Sequence, residues 1–152
     1  MTVRAIRVDR LAADQRADVA WTLAHLTVSD TLITTAVKLA GGGAAAVIDN
    51  AMAMNGEHLR TWGAARTHEE QVAALCAQAS ALITELARHE EAMHAKVVRL
   101  RVHDRDGAFI QEEALTWDAL IDLRATIHLP GHTERLGAYL GAGSDDPDAL
   151  RR

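Results

Sequence analysis

His128 and His132 stand four residues apart in the stretch Thr116–Leu140, TWDALIDLRATIHLPGHTERLGAYL, and chemistry enters the chain through that spacing. On a continuous helix it turns the second imidazole only about 40° from the first and lifts it about 6 Å, so both rings can aim at one metal ion. A third ligand has to come from elsewhere. His25, in WTLAHLTVSD, lies on the other long helical stretch that carries a histidine among apolar residues. Three neutral imidazoles with one position left open make a site that binds or transforms something, since structural zinc sites usually close with four protein ligands. Taken alone, His25 between Ala24 and Leu26 reads more readily as an ordinary half-buried histidine bonded to a carbonyl, and only the pair gives it a second meaning.

The residues around these three have two readings each. Arg124, one turn before His128, is placed to hold an anionic group of a substrate, or equally to pair with Asp122 or a neighbouring acid. Trp21, one turn before His25, walls a pocket or belongs to the core. Cys76 falls on an apolar stripe and reads as an inert small hydrophobe. His58, His68, His89, His94 and His103 are spread among charged residues and read as solvated or capping. No Gly-x-Ser-x-Gly elbow and no P-loop occurs, and Gly41-Gly42-Gly43 follows a helix with no strand before it. Glu134 points away from the histidine pair on a regular helix, so no general base can be named.

The elements that position these residues follow from the apolar pattern. The 152 residues fit one domain, 1–152, and 49% hydrophobic content, much of it alanine and leucine, supplies a core and makes an all-α protein the default. From about Asp9 or Asp18 the spacing of Val19, Leu23, Leu26, Ile33 and Val37 predicts a helix that the three glycines stop. Ala44–Trp62 reads as a connecting arm with Asn55 capping a short helix. Thr67 opens the clearest element, because Thr-His-Glu-Glu is a capping box and Val72, Leu75, Cys76, Leu82, Ile83, Leu86, Met93, Val97 and Leu100 follow at helical spacing. Asp106-Gly107 marks a hairpin or tight loop near residues 100–113. Thr116 caps the last helix, a glycine pair ends it, and a polar tail from about Ser144 follows. The first eight residues, with Val3, Ile6 and Val8, form a leader.

Composition excludes several classes of partner. A formal charge of −5 with acids and bases interspersed provides no basic face for nucleic acid and no polybasic segment for a membrane surface. One cysteine rules out a disulfide framework and fits a reducing cytoplasm. No apolar leader and no run of about 18 apolar residues is present, so a cytoplasmic protein acting on a small molecule is expected.

WTLAHLTVSD, followed about a hundred residues later by H-x-x-x-H in a terminal helix, resembles the DinB superfamily. The Trp-Thr-Leu-Ala-His-Leu phrase is similar to the opening of the mycothiol-dependent maleylpyruvate isomerase N-terminal domain. The resemblance spans roughly Val19 to Leu140 and implies a four-helix bundle with a divalent metal, zinc or nickel in most members, held by three histidines. His25 matches the histidine of the A-H-L phrase, and His128 and His132 match the pair. It further implies a thiol-dependent transferase or isomerase that uses a low-molecular-weight thiol such as mycothiol. The alternatives are a metal-dependent hydrolase or lyase and a non-catalytic binding protein.

Two departures carry expectations of their own. Only about 24 residues precede His25, where family members have a full helix, so the bundle is short of one helix and a homodimer is expected to cover the Thr67–Leu100 stripe, unless Ala44–Trp62 folds back as the missing helix. Pro130-Gly131 between the paired histidines predicts a kink or bulge, since proline lacks the N–H for the bond to residue 126 and crowds that carbonyl, at about 3 kcal/mol or more in a regular helix.

Overall fold

The computed structural model describes residues 8–93 and 96–142. Val3 and Ile6 of the leader, His94, and the polar tail from Ser144 lie outside the described residues. A 3-10 turn, Val8–Arg10, leads into helix α1, Ala13–Gly41, whose first turn is fixed where the Ala12 N–H donates to Gln15 Oε1 at 2.9 Å. Gly43 ends it in the left-handed region, at φ 90°, while the Ala44 N–H reaches back to the Leu39 carbonyl at 3.0 Å. The rest of the chain is wrapped around this helix. It packs against β1, Ala46–Asp49, α2, Ala51–Met54, α3, Gly56–Ala64, α4, His68–Met93, and α6, Leu129–Ala142. Burial of α1 therefore runs around much of its circumference, and His25, Asp30 and Thr34 are buried along with Val19, Leu23 and Val37.

An all-α four-helix bundle, expected from composition and the motif resemblance, is overturned by a three-stranded mixed sheet in the order β1-β2-β3. Strand β2, Val97–His103, runs parallel to β1 and antiparallel to β3, Phe109–Thr116. Helix α4 stops at Met93, and Val97 and Leu100, which fit its spacing, belong to β2 instead. The physical reason lies in Val97–His103 itself: Val98, Leu100 and Val102 alternate with Arg99, Arg101 and His103, a period of two with three valines that suit a pleated surface. Val98 is fully buried while Arg99 and Arg101 are exposed and bridge Glu112, with Arg101 also at 3.5 Å from Asp49.

A parallel partner for β2 comes from the arm read as a connector. Its Ala46 and Ile48 face inward and Val47 outward. The hairpin between β2 and β3 turns on Asp104, whose carboxylate accepts from the N–H groups of Asp106 and Ala108, both at 2.9 Å, with Gly107 at φ 81°. The expected hairpin signal at Asp106-Gly107 thus marks the centre of an element reaching from residue 97 to 116, well past the limits expected. The principal core lies between α1 and the sheet, where Ile33 and Val37 meet Ile48 and Val98, with Leu82 of α4 and Trp117 closing it.

Capping follows the sequence closely. The Thr67 N–H donates to Glu70 Oε2 at 2.7 Å and the Glu70 N–H to Thr67 Oγ1 at 3.3 Å, Asn55 caps α3 through the His58 N–H, and Thr116 caps α5, Trp117–Leu123, through the Ala119 N–H. On α4 the apolar stripe is split. Leu82 and Met93 are buried against the core, whereas Val72, Cys76 and Ile83 face outward, so Cys76 is exposed and not the buried hydrophobe that its place in the stripe suggested. Among the described residues no helix is long and apolar enough to cross a membrane.

This division of α4 makes a sharp contrast between neighbours. Leu82 is 5% exposed and Ile83 68%. Leu82→Ala is expected to cost about 2–5 kcal/mol in denaturant unfolding and Ile83→Ala under about 0.5 kcal/mol. A cost at Ile83 near that at Leu82 would mean that the outer face of α4 is covered, as the expected second copy would cover it.

Candidate metal centre

The chain brings His25, His128 and His132 together. One ring nitrogen from each lies within 4.8 Å of the others, and the His25 and His128 Nε2 atoms are 3.1 Å apart. Ring centroids are 4.9 Å apart for His25 and His132 and 4.7 Å apart for His128 and His132. Zinc–imidazole bonds of about 2.0–2.1 Å place two tetrahedral ligand nitrogens roughly 3.3 Å apart, close to the 3.1 Å between His25 and His128, and with the third nitrogen within 4.8 Å the donor set could hold a divalent transition metal.

His25 is placed by α1 and locked by the arm. It is 5% exposed, and its Nδ1–H donates to the carbonyl of Ala53 in α2 at 2.7 Å, which leaves Nε2 as the free lone pair. Trp21, one turn earlier, stacks on the ring at 4.9 Å and 7°, so it walls the site and is not a core residue. Over Trp21 lies the guanidinium of Arg105, 3.9 Å from the ring centroid, delivered by the hairpin turn.

His128 and His132 are placed by an interrupted helix. After α5 the backbone widens into a π-helical turn, Arg124–His128, in which the Leu129 N–H bonds the Arg124 carbonyl five residues back, before α6 resumes. Pro130 explains this turn. It has no N–H to offer and needs room at the preceding carbonyls, and a turn of five residues provides both, where a regular turn would clash. The irregularity predicted between the paired histidines is found one step earlier, in a π turn that ends at His128, and the two imidazoles project from its last residue and from α6.

Arg124 is buried at the same turn. Its Nη2 pairs with Asp30 of α1, also buried, and its Nη1 donates to His128 Nδ1 at 3.1 Å. Asp122, the acid suggested by its closeness in sequence, is not its partner. A guanidinium can only donate, so His128 Nδ1 accepts and Nε2 carries the ring proton, which then points at His25 Nε2. A single directed chain results, from Arg124 through His128 and His25 to the Ala53 carbonyl. The Nε2 proton of His128 lies between the two imidazoles, so a cation bound by both Nε2 atoms would require that proton to move to Nδ1 and the contact with Arg124 Nη1 to open.

Electrostatics keep the rings neutral. Burial, followed by the charges of Arg124 and the other two imidazoles, pushes His128 down to about 3, and burial with the neighbouring His25 and arginines pushes His132 down to about 4. Burial also lowers His25, against the opposing bond to Ala53. Asp18 is held low by Arg135 and Tyr139, which bind its two oxygens against the cost of burial and tie α6 to α1. His58, His68, His89 and His103 are not part of the cluster.

Asp30 and Arg105 are the residues that sequence reasoning missed. An acid five residues past His25, within a largely uncharged helical segment, was a signal for a buried cation partner. Arg105, one exposed arginine in a turn, gave no signal. No protein-family model, no curated protein and no solved structure matches the chain.

The lowered imidazoles fix how the metal-free protein responds to acid. Below about pH 6.5 the unfolded chain takes up protons that the folded rings refuse, so their contribution is intact above that value and stability falls as the pH drops toward about 4 and then about 3. Denaturant midpoints at about pH 7 and about pH 5 are expected to differ more in the wild type than in a His128→Ala, His132→Ala double variant. Equal pH dependence in the two proteins would contradict the site as described.

Proposed function

We propose that the chain is a metal-dependent enzyme on a small molecule, of the thiol-dependent transferase or isomerase kind, with His25, His128 and His132 as ligands of one divalent metal. The observation that carries this reading is the convergence of three neutral imidazoles from α1, from the end of the π turn and from α6, beside a cavity. When bound, such a metal acts as a Lewis acid and lowers the pKa of a thiol or water in its open position. Imidazole ligands suit zinc and nickel alike.

The remaining groups support a nucleophile that needs no protein base. The cluster holds three imidazoles and no carboxylate. Asp30 is engaged by Arg124, and Asp18 by Arg135 and Tyr139. A thiol, ionising near pH 8.5 unaided, is turned into a nucleophile by a modest pKa shift, whereas water starts near 15.7. The likeness of the A-H-L and H-x-x-x-H phrases to the thiol-using DinB proteins points the same way. Arg124 is a positioning residue in this account: paired to Asp30, it holds the turn that carries His128, which is the ion-pair alternative of its two sequence readings.

Purified protein is expected to carry one divalent transition metal per chain by elemental analysis, and His128→Ala to lose most of it while keeping its helical circular dichroism. Turnover of an electrophile is expected only when a low-molecular-weight thiol is supplied. Unchanged metal stoichiometry in all three single His→Ala variants would overturn the metal reading, and turnover with water alone would replace the transferase by a hydrolase.

A further inference from the structure

Beside the imidazoles lies a cavity of about 230 Å³ whose walls come from five separate elements. Ile33 of α1, Ile48 of β1, Leu100 and Val102 of β2, and Leu120 and Leu123 of α5 supply its apolar surface. His25, Asn50, Arg124 and His128 also line it, and His132, Trp21 and Arg105 are not in its wall. Ser29, one turn beyond His25 on α1, is its hydroxyl. Position decides its character: α1 presents Trp21, His25 and Ser29 at four-residue steps, so the metal ligands stand between an aromatic and cationic side and an apolar side.

We infer that this cavity holds the body of the enzyme's electrophilic substrate, a small aryl or branched alkyl group, with its reactive polar atom beside the imidazoles. The inference rests on the metal-enzyme reading and adds the substrate class to it. Size sets the limit. A dry apolar cavity of about 150 Å³ accepts benzene, which scales to about nine or ten non-hydrogen atoms here. Ligand pockets commonly exceed about 300 Å³, so the walled space suits the body of a small molecule better than a sugar- or peptide-bearing thiol. The thiol is therefore assigned to the other side of the ligands, toward Trp21 and Arg105. Each substrate has its own approach, and the two meet at the open position. The Ser29 hydroxyl, which lines the cavity together with Asn50, would orient a carbonyl or halide beside the ligands.

Toluene is the probe, because it needs no metal to bind an apolar cavity. Titrated into metal-free wild-type protein, it is expected to give saturable NMR shifts at Ser29, Leu100, Val102 and Leu120. Val102→Phe and Leu123→Trp, at partly exposed wall positions, are expected to weaken it at least tenfold while the folded spectrum persists. His132→Ala, outside the wall, is expected to bind toluene as wild type does even as it loses metal. No saturable binding to wild type, or wild-type affinity in both folded wall variants, overturns the inference. Loss of the metal reading shows separately, as absent metal in a protein that still binds toluene.

Discussion

A carboxylate buried in an apolar helix face must be offset by a cation at contact distance, and Asp30 on α1 has that cation in Arg124. Removing one member of such a pair typically costs about 3–5 kcal/mol, because the other is left charged and dry. The pair therefore fixes where the last helical segment lies on α1, at the very turn from which His128 projects. The second tie is polar as well: Asp18 near the start of α1 holds Arg135 and Tyr139 of α6. Between these two anchors stand His25 on one element and His128 and His132 on the other. The distance between the imidazoles is thus constrained by charges outside the cluster.

Pro130 is the second constraint, and it works with the first. A proline within a helix is destabilising, yet here it is the residue that widens the turn at Arg124–His128. In this widened turn Arg124 both reaches Asp30 and keeps its other nitrogen on His128. π turns inserted into α-helices often accompany functional sites, and this one ends on a candidate ligand, His128.

Much of the site was legible in the sequence, and much of the fold was not. The histidine trio could be read because helical periodicity is local: four residues separate His128 from His132, and apolar neighbours mark the helix around His25. Caps at Asn55, Thr67 and Thr116 were readable for the same reason. The sheet was missed because Val97 and Leu100 satisfy a helical spacing and a period of two at once, and because β1 is four residues of a segment with no strong pattern. A strand as short as Ala46–Asp49 is specified by its partner, and partnership between residues 46 and 98 is invisible to any local window. Ala53 as the carbonyl that orients His25, Asp30 as the partner of Arg124, and Arg105 over Trp21 are long-range for the same reason.

The central claim is that these three imidazoles share one cation, and X-ray absorption at the zinc edge of zinc-loaded protein addresses it directly. The account predicts a four-coordinate shell with three imidazole nitrogens at about 2.0–2.1 Å, each showing the outer scattering of its ring, and one further light ligand. A six-oxygen shell without imidazole scattering, or one imidazole per zinc, would contradict it.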